Sequence, residues 1–305
     1  MRRALLIYNP AAGQWWRRPR PDHVRDELAR HGWDAELLIT ERQDHATELV
    51  RAHLAGDVEA VWACGGDGTL AQAATALVGS DVPIGILPVG TVNVIAREIG
   101  VPSGAKRAIE ALAKTKTCRT FHAWRASGRA VLLGAGVGFD ARAMGRVNPR
   151  LKTSLGLPAI GARGVWEWAR YDFPALHVTG QDVHGRAIDT EATQVLATVP
   201  RHFAGSHVLV PGADPSDALI DLVLFRGTSH LRLAAFWLGV EMPGTAQLRV
   251  PGVETLRARR FTVTARDGRA EPAHVNGDVV DATPIDIEPW GTVQLLAPEK
   301  VGQAC

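Results

Sequence analysis

The chain has 305 residues, 46% hydrophobic and 22% charged, a globular balance that excludes disordered, collagen-like and coiled-coil chains. At about 150 residues per domain, the length favours two domains with a sizeable core. Thirty-four Lys and Arg against 32 Asp and Glu leave a formal charge of +2, too small to argue for a nucleic-acid partner, so electrostatic steering has to be local.

Met1-Arg2-Arg3 is followed by a short apolar run ending at Tyr8 before Asn9-Pro10, too short for a signal peptide, so this segment is predicted to be the first strand. Asp22 can cap a helix carrying Val24 and Leu28, with Ala35 to Ile39 as the next strand; Asp44 can cap a second helix that ends before Gly56. Ala60 to Ala63 is an apolar strand running into Gly65-Gly66-Asp67-Gly68-Thr69, Leu70 to Val78 is helical by composition, Ile84 to Leu87 is a strand and Ala105 to Ala113 a helix. Strands alternating with helices imply βαβ units on a parallel sheet. Beyond about residue 120, short strand-like runs punctuated by Gly, Pro and Asp predict a second, antiparallel domain. Leu176 to Thr179 and Thr193 to Val199 are expected to form a hairpin, with further strands at 261–264, 285–287 and 293–296 and helices at 156–168 and 231–238.

No run approaches the roughly 18 apolar residues of a spanning helix; the best, Leu231 to Val240, carries Arg232 and is expected in the core. Cys64, Cys118 and Cys305 match neither a disulfide framework nor a CxxC pair and are expected to be reduced thiols of a cytosolic protein. The histidines show no HExxH or other metal-ligand spacing. Trp15-Trp16-Arg17-Arg18-Pro19-Arg20 mixes aromatic rings with cations, which suits either a solvated loop with one Trp buried or a patch meeting anionic headgroups.

Gly65 to Thr69 lies where a strand gives way to a helix. Glycines there let the backbone approach a ligand, and the exposed amides of a helix N-terminus suit phosphates at the carboxyl end of a sheet. No GxxxxGK[ST] occurs, and Gly134 to Phe139 misses the third glycine of GxGxxG. A second loop, Pro88-Val89-Gly90-Thr91-Val92-Asn93, follows the next strand and brings a hydroxyl and an amide to the same crevice.

Together with Asn9-Pro10-Ala11-Ala12-Gly13, Thr40, Gly136-Val137-Gly138-Phe139-Asp140-Ala141, Asp217-Ala218-Leu219 and Asn276-Gly277-Asp278, these motifs make the chain resemble the diacylglycerol kinase catalytic family, which includes bacterial lipid kinases and sphingosine kinases. The resemblance implies an α/β nucleotide-binding domain over 1–121 with a return segment at 291–305, and a β-rich lipid-substrate domain over 122–290. It implies ATP held by Asn9, Thr40, Gly65, Gly66, Asp67, Gly68, Thr69, Gly90, Thr91 and Asn93, with Asp67 contacting nucleotide-bound Mg2+. It further implies Asp140 in support and a structural Mg2+ on Asp214, Asp217 and Leu219. The family's Asp-Gly-Glu is Asn276-Gly277-Asp278 here, which keeps a carboxylate at the base position, one methylene shorter, and is also the strongest short hairpin signal. Ala218 replaces a glycine at a point where the family's backbone needs positive φ. The expected activity is phosphoryl transfer from ATP to a diacylglycerol-like or sphingoid-like lipid at a membrane surface, in the cytoplasm with or without peripheral membrane contact, and homodimer formation stays open. The alternatives are an NAD kinase-like small-molecule kinase and a nucleotide-binding regulatory protein that has lost catalysis.

Overall fold

The computed structural model describes residues 1–14, 18–145 and 157–299, with the backbone of 303–304. The chain divides into two compact units, Met1–Ala123 with Trp290–Cys305, and Trp124–Pro289. Two strands, β5 (Thr117–Ala126) and β17 (Ile285–Leu296), carry the chain from one unit to the other and back.

In the first unit β1 (Arg2–Tyr8) is flanked in parallel by β2 (Trp33–Ile39) and β3 (Ala60–Gly65), and β3 by β4 (Ile84–Pro88). Ala4 to Ile7, Val61, Trp62, Ile84 and Leu87 are fully buried, as strands covered on both faces require; each large side chain among them stabilises by about 1.5–3 kcal/mol. Helices α1 (Pro21–Arg30), α2 (His45–His53), α3 (Asp67–Thr75), α4 (Val94–Glu98) and α5 (Ala105–Leu112) connect and cover the strands. α1 starts with Pro21 at its first position, where the missing N–H costs nothing, and Arg20 rather than Asp22 is its N-cap. α3 begins at Asp67, three residues before the helix expected from composition.

The second unit is antiparallel. Strand order runs from β16 (Asp278–Ala282) through β15 (Pro272–Val275), β7 (Gly134–Val137), β10 (Gln194–Thr198) and β13 (Ile220–Phe225) to β14 (Val253–Ala265). β14 also pairs with β8 (Leu176–Asp182), which forms its hairpin with β9 (Ala187–Ala192), while the short β6 (Arg129–Val131) pairs with β5 and β11 (His202–Phe203) with β12 (His207–Val208). Thr193 to Val199, expected as that hairpin's second arm, instead pairs with β7 and β13. β13 is buried on both faces: Ile220, Leu222 and Leu224 face a cluster with Val195 and Phe261, while Val223 and Phe225 face one with Leu233 and Phe236. The second cluster packs under α7 (Leu157–Arg170) and α8 (His230–Glu241), with α6 (Phe139–Gly145) following β7. The expected fold class, a parallel α/β unit followed by an antiparallel β-rich unit, is the one observed.

No helix among the described residues is long and apolar enough to cross a membrane. Cys64 is a free, buried thiol, whereas Cys118 is disulfide-bonded, which corrects the expectation of three reduced thiols. Trp15 to Arg17 lie outside the described residues.

Candidate functional site

Three loops meet at the carboxyl ends of β1, β3 and β4, where the register sets Tyr8 beside Cys64 and Gly65 beside Pro88. The first, after β1, is closed by Asn9: its Oδ1 accepts the Ala11 N–H at 2.8 Å, its Nδ2 donates to Thr69 Oγ1 at 2.8 Å, and its own N–H reaches Cys64 O at 3.0 Å. Arg18 braces the same loop, with Nε donating to Ala12 O at 3.0 Å. Thr40 is buried behind it, its N–H on Tyr8 O at 2.9 Å.

The second and third loops touch through their backbones. Val89 and Gly90 N–H groups donate to Gly65 O at 3.0 and 3.2 Å. A Cβ on Gly90 would lie 2.6 Å from Gly66 Cα and 2.8 Å from Asn93 Oδ1, so only glycine permits this approach. Gly13, at φ +65, meets Val89 O in the same way. Asn93 occupies the left-handed region at φ +52, where Asn is tolerated; its Nδ2 donates to Gly90 O at 2.7 Å, and its buried Oδ1 has no partner. Thr91 is exposed between them.

Asp67 ties the two glycine loops together. Its Oδ2 accepts the Val94 N–H at 2.8 Å and its Oδ1 the Ile95 N–H at 3.0 Å, satisfying the first turn of α4 as a cap would. Burial pushes the carboxyl up from its ordinary value, against the pull of the Ile95 and Val94 amides. Gly66 to Thr69 form the N-terminal turn of α3, whose amides are directed at the crevice and favour an anion. The residues fit a phosphate-bearing ligand: glycines without side chains and the amides of a helix N-terminus. For a cation they offer only Asp67, whose two oxygens each already hold an amide.

The remaining candidates belong to the second unit. Asp140, in the first turn of α6, pairs through Oδ2 with His274 Nε2 at 2.5 Å; both side chains are buried, and Asp140 Oδ1 and His274 Nδ1 have no partner. Gly136 makes room for the pair, since its Cβ would meet Asp140 Oδ2 at 2.0 Å. Two residues on, Arg142 grips Glu271 at 2.7 Å and Asp172 at 2.7 Å, so α6 is tied both to His274 of β15 and to Glu271 just before that strand. Asn276 and Gly277, both at positive φ (+52 and +84), make the two-residue turn from β15 to β16. Asn276 Oδ1 accepts the Leu132 and Leu133 N–H groups at 3.0 and 2.9 Å, and its Nδ2 donates to Ala130 O at 2.6 Å. Asp278 is half-buried and faces Val275 across the ladder, while His274 faces Val279. Alternation therefore puts Asp278 on the opposite face of the hairpin from the Asp140–His274 pair.

At the cation site expected on Asp214, Asp217 and Leu219, the carboxylates are held by other partners. Asp214 Oδ1 accepts Ser216 N and Oγ at 2.9 and 2.7 Å, Asp217 Oδ1 accepts the Leu219 N–H at 3.0 Å, and Asp217 Oδ2 is paired with the Arg257 guanidinium. Arg257 Nε also lies 3.3 Å from buried Asp221. A fixed cation stands against the carboxylate expected to bind Mg2+, and these residues do not fit the ion. Ala218 nonetheless adopts φ +56, so the turn survives without glycine. Among the described residues no cluster of three His, Cys, Asp or Glu could hold a metal ion.

Sequence reasoning missed His274 and the Arg142–Glu271 pair, and read Arg18 only as part of the Trp15–Arg20 segment. His274 carried one signal, a polar residue inside an apolar strand paired opposite Gly136.

The model of the diacylglycerol kinase catalytic domain matches residues 3–123, and that of the YegS C-terminal NAD kinase beta sandwich-like domain matches 134–297. The chain is 29% identical over 239 residues to a probable lipid kinase YegS-like of Pseudomonas fluorescens, covering 76% of this chain and 78% of the relative. It is 26% identical over 235 residues to the diacylglycerol kinase of Bacillus subtilis, covering 74% of each chain. A crystal structure of a diacylglycerol kinase from Bacillus anthracis superposes with a TM-score of 0.71 at 18% identity, covering 98% of both chains, a likeness of fold.

Proposed function

We propose a function from one premise: the chain belongs to the diacylglycerol kinase family. The protein is an ATP-dependent lipid kinase that transfers the γ-phosphoryl group to a hydroxyl of a diacylglycerol-like or sphingoid-like lipid presented at a membrane surface. The observation that carries this reading is the meeting of the Gly65–Thr69 and Pro88–Asn93 loops in backbone contact, which leaves the N-terminal turn of α3 open to phosphates.

Phosphoryl transfer demands positioning and charge stabilisation more than covalent chemistry. In this chain the α3 amides bind the phosphates, Asn9 and Asp67 hold the three loops in register, and Asn93 and Thr91 border the crevice. Asp278 accepts the proton of the attacking hydroxyl; its carboxylate makes no hydrogen bond or ion pair to another described residue and so has lone pairs to offer. A nucleotide-bound Mg2+ would supply neutralisation of phosphate charge, and no protein side chain is assigned to hold it.

The test is incubation of the full chain with γ-labelled ATP, Mg2+ and mixed micelles of diacylglycerol, monoacylglycerol, phosphatidylglycerol and sphingosine, with Asp67→Ala as control. A labelled lipid absent from the control supports the reading and identifies the acceptor. ATP binding without any labelled lipid overturns it in favour of a nucleotide-binding protein that has lost transfer.

A further inference from the structure

Helix α8 departs from the pattern of a surface helix. Leu233, Phe236 and Val240 are buried beneath it, as expected of the inner face, but the outer face is apolar as well. Leu231 is 78% exposed and Leu238 66%, and Met242, at the helix's C-cap, is 59% exposed. With exposed Ala235 between them, these positions follow the i, i+4, i+7, i+11 spacing of one helical stripe. A helix apolar all round is ordinarily buried; this one lies open along one side.

Exposed apolar side chains are not confined to α8. Trp168 of α7 donates its indole N–H to His230 O at 2.8 Å, and its ring meets the His230 ring edge-on at 5.7 Å, so the two helices adjoin. On α7, Val165 is 67% and Trp166 40% exposed. Of the large apolar side chains exposed among the described residues, Met1, Ile39 and Val279 are elsewhere, and the other five lie on this helix pair. Isolated exposed apolar residues need no explanation, but five of them on two adjoining helices mark an interaction surface.

Its charge selects the occupant. Arg170 lies over the Trp166 ring at 4.4 Å, and Arg232 is exposed beside Leu231. Of the acidic residues on these helices, Glu167 is buried, and Glu241, exposed at the far end beside Met242, lies within 3.4 Å of His207. A second copy docking through a two-fold axis would set the same cations against an identical surface. An anionic bilayer would meet them with opposite charge, take the leucines into its acyl boundary and hold Trp166 at the headgroup level.

We infer that the outer faces of α7 and α8 form the surface by which this protein seats itself on anionic phospholipid membranes, with Leu231, Leu238, Met242 and Trp166 inserting and Arg170 and Arg232 pairing with headgroup phosphates. The inference deepens the lipid-kinase reading and rests on it.

The experiment is cosedimentation of the full chain, without nucleotide, with vesicles of equal parts phosphatidylglycerol and phosphatidylcholine, and with phosphatidylcholine alone. The wild type is expected to bind the anionic vesicles. Leu231→Ser/Leu238→Ser should weaken that binding about tenfold or more, and Arg170→Ala/Arg232→Ala should weaken it on anionic vesicles while leaving the weaker partition to phosphatidylcholine unchanged. Circular dichroism and thermal unfolding identify any variant that fails to fold. No binding by the wild type, or equal binding by both folded variants, overturns the inference. So does a dimer in solution that the serine pair dissociates without changing vesicle binding. Phosphoryl transfer is read separately in micelles, so failure of the surface and failure of the kinase assignment are told apart.

Discussion

Gly90→Ala tests whether contact between the two glycine loops builds the nucleotide site. The added methyl would stand 2.6 Å from Gly66 Cα, where ordinary contact begins at 3.4 Å, so the loops must separate by about 0.8 Å. The methyl would also crowd Asn93 Oδ1 at 2.8 Å, pressing on the residue that precedes α4. Overpacking of this kind costs about 1–3 kcal/mol of stability. A displacement approaching 1 Å in a positioning loop costs about a hundredfold in rate. The expected outcome is a folded protein with a modestly lower melting temperature and about a hundredfold loss in kcat/KM for ATP. Gly56→Ala, where a Cβ meets nothing within 4 Å, is the control for alanine itself and should change neither. Calorimetric ATP titration alongside thermal unfolding separates the two effects. A Gly90→Ala protein that binds ATP within about threefold of wild type would refute the argument that loop contact builds the site.

Asn276→Asp should destabilise by about 1–3 kcal/mol in urea unfolding, because a carboxylate cannot donate to Ala130 O as Nδ2 does at 2.6 Å; an unchanged midpoint would contradict the assigned bonding. Arg257→Ala leaves the nearly buried Asp221 carboxylate without its cation, for a loss of about 1–2 kcal/mol, reduced because Arg257 is partly exposed. Burial already pushes the Asp221 carboxyl up while Arg257 pulls it down. Removing the cation raises the folded value further, so stability kept below the ordinary carboxylate value is lost as pH rises through the raised one. The deficit should therefore be larger at neutral than at acid pH, and the reverse slope would refute the pairing. Burial pushes the Cys64 thiol up to about 12; at pH 8 its thiolate fraction is about one in ten thousand. The Cys64 peptide should resist iodoacetamide in the native protein and react after unfolding, as read by mass spectrometry.

The strands that position the site were legible because parallel strands buried on both faces are continuous apolar runs, as Leu5 to Ile7 and Ala60 to Ala63 are, and their ends carry the glycine loops. Helix α4 was not legible. Its first amides are satisfied by Asp67, 27 residues before Val94, and no local cap announces it. The partner of β8 was misassigned because Ala187 to Ala192 is weakly apolar and alternates, whereas the more apolar Thr193 to Val199 is buried between two other strands. Pro289-Trp290-Gly291 broke the pattern of β17 into two apparent strands, although the backbone continues through them while changing units. At the expected metal loop the motif residues were visible, but the decisive partner, Arg257, lies 40 positions from Asp217.

The acidic residues singled out by sequence divide according to what their oxygens already hold. Asp67 spends one oxygen on each of two amides, Asp217 is paired with Arg257, and Asp140 is bonded to His274 with its second oxygen sealed from solvent. A general base needs a lone pair that an incoming hydroxyl can reach. Asp278 is half-buried, and its carboxylate makes no hydrogen bond or ion pair to another described residue, as the role proposed for it asks. Its place is set by the turn, since Asn276 anchors the hairpin through three hydrogen bonds without using Asp278. Substitutions should therefore separate the roles. Asp278→Asn should lower kcat by about two orders of magnitude or more with the unfolding midpoint unchanged, because no contact of the fold is lost. Asp140→Asn and Asp67→Asn should lower stability together with activity. An Asp278→Asn protein with wild-type turnover would leave proton acceptance to a group outside this set.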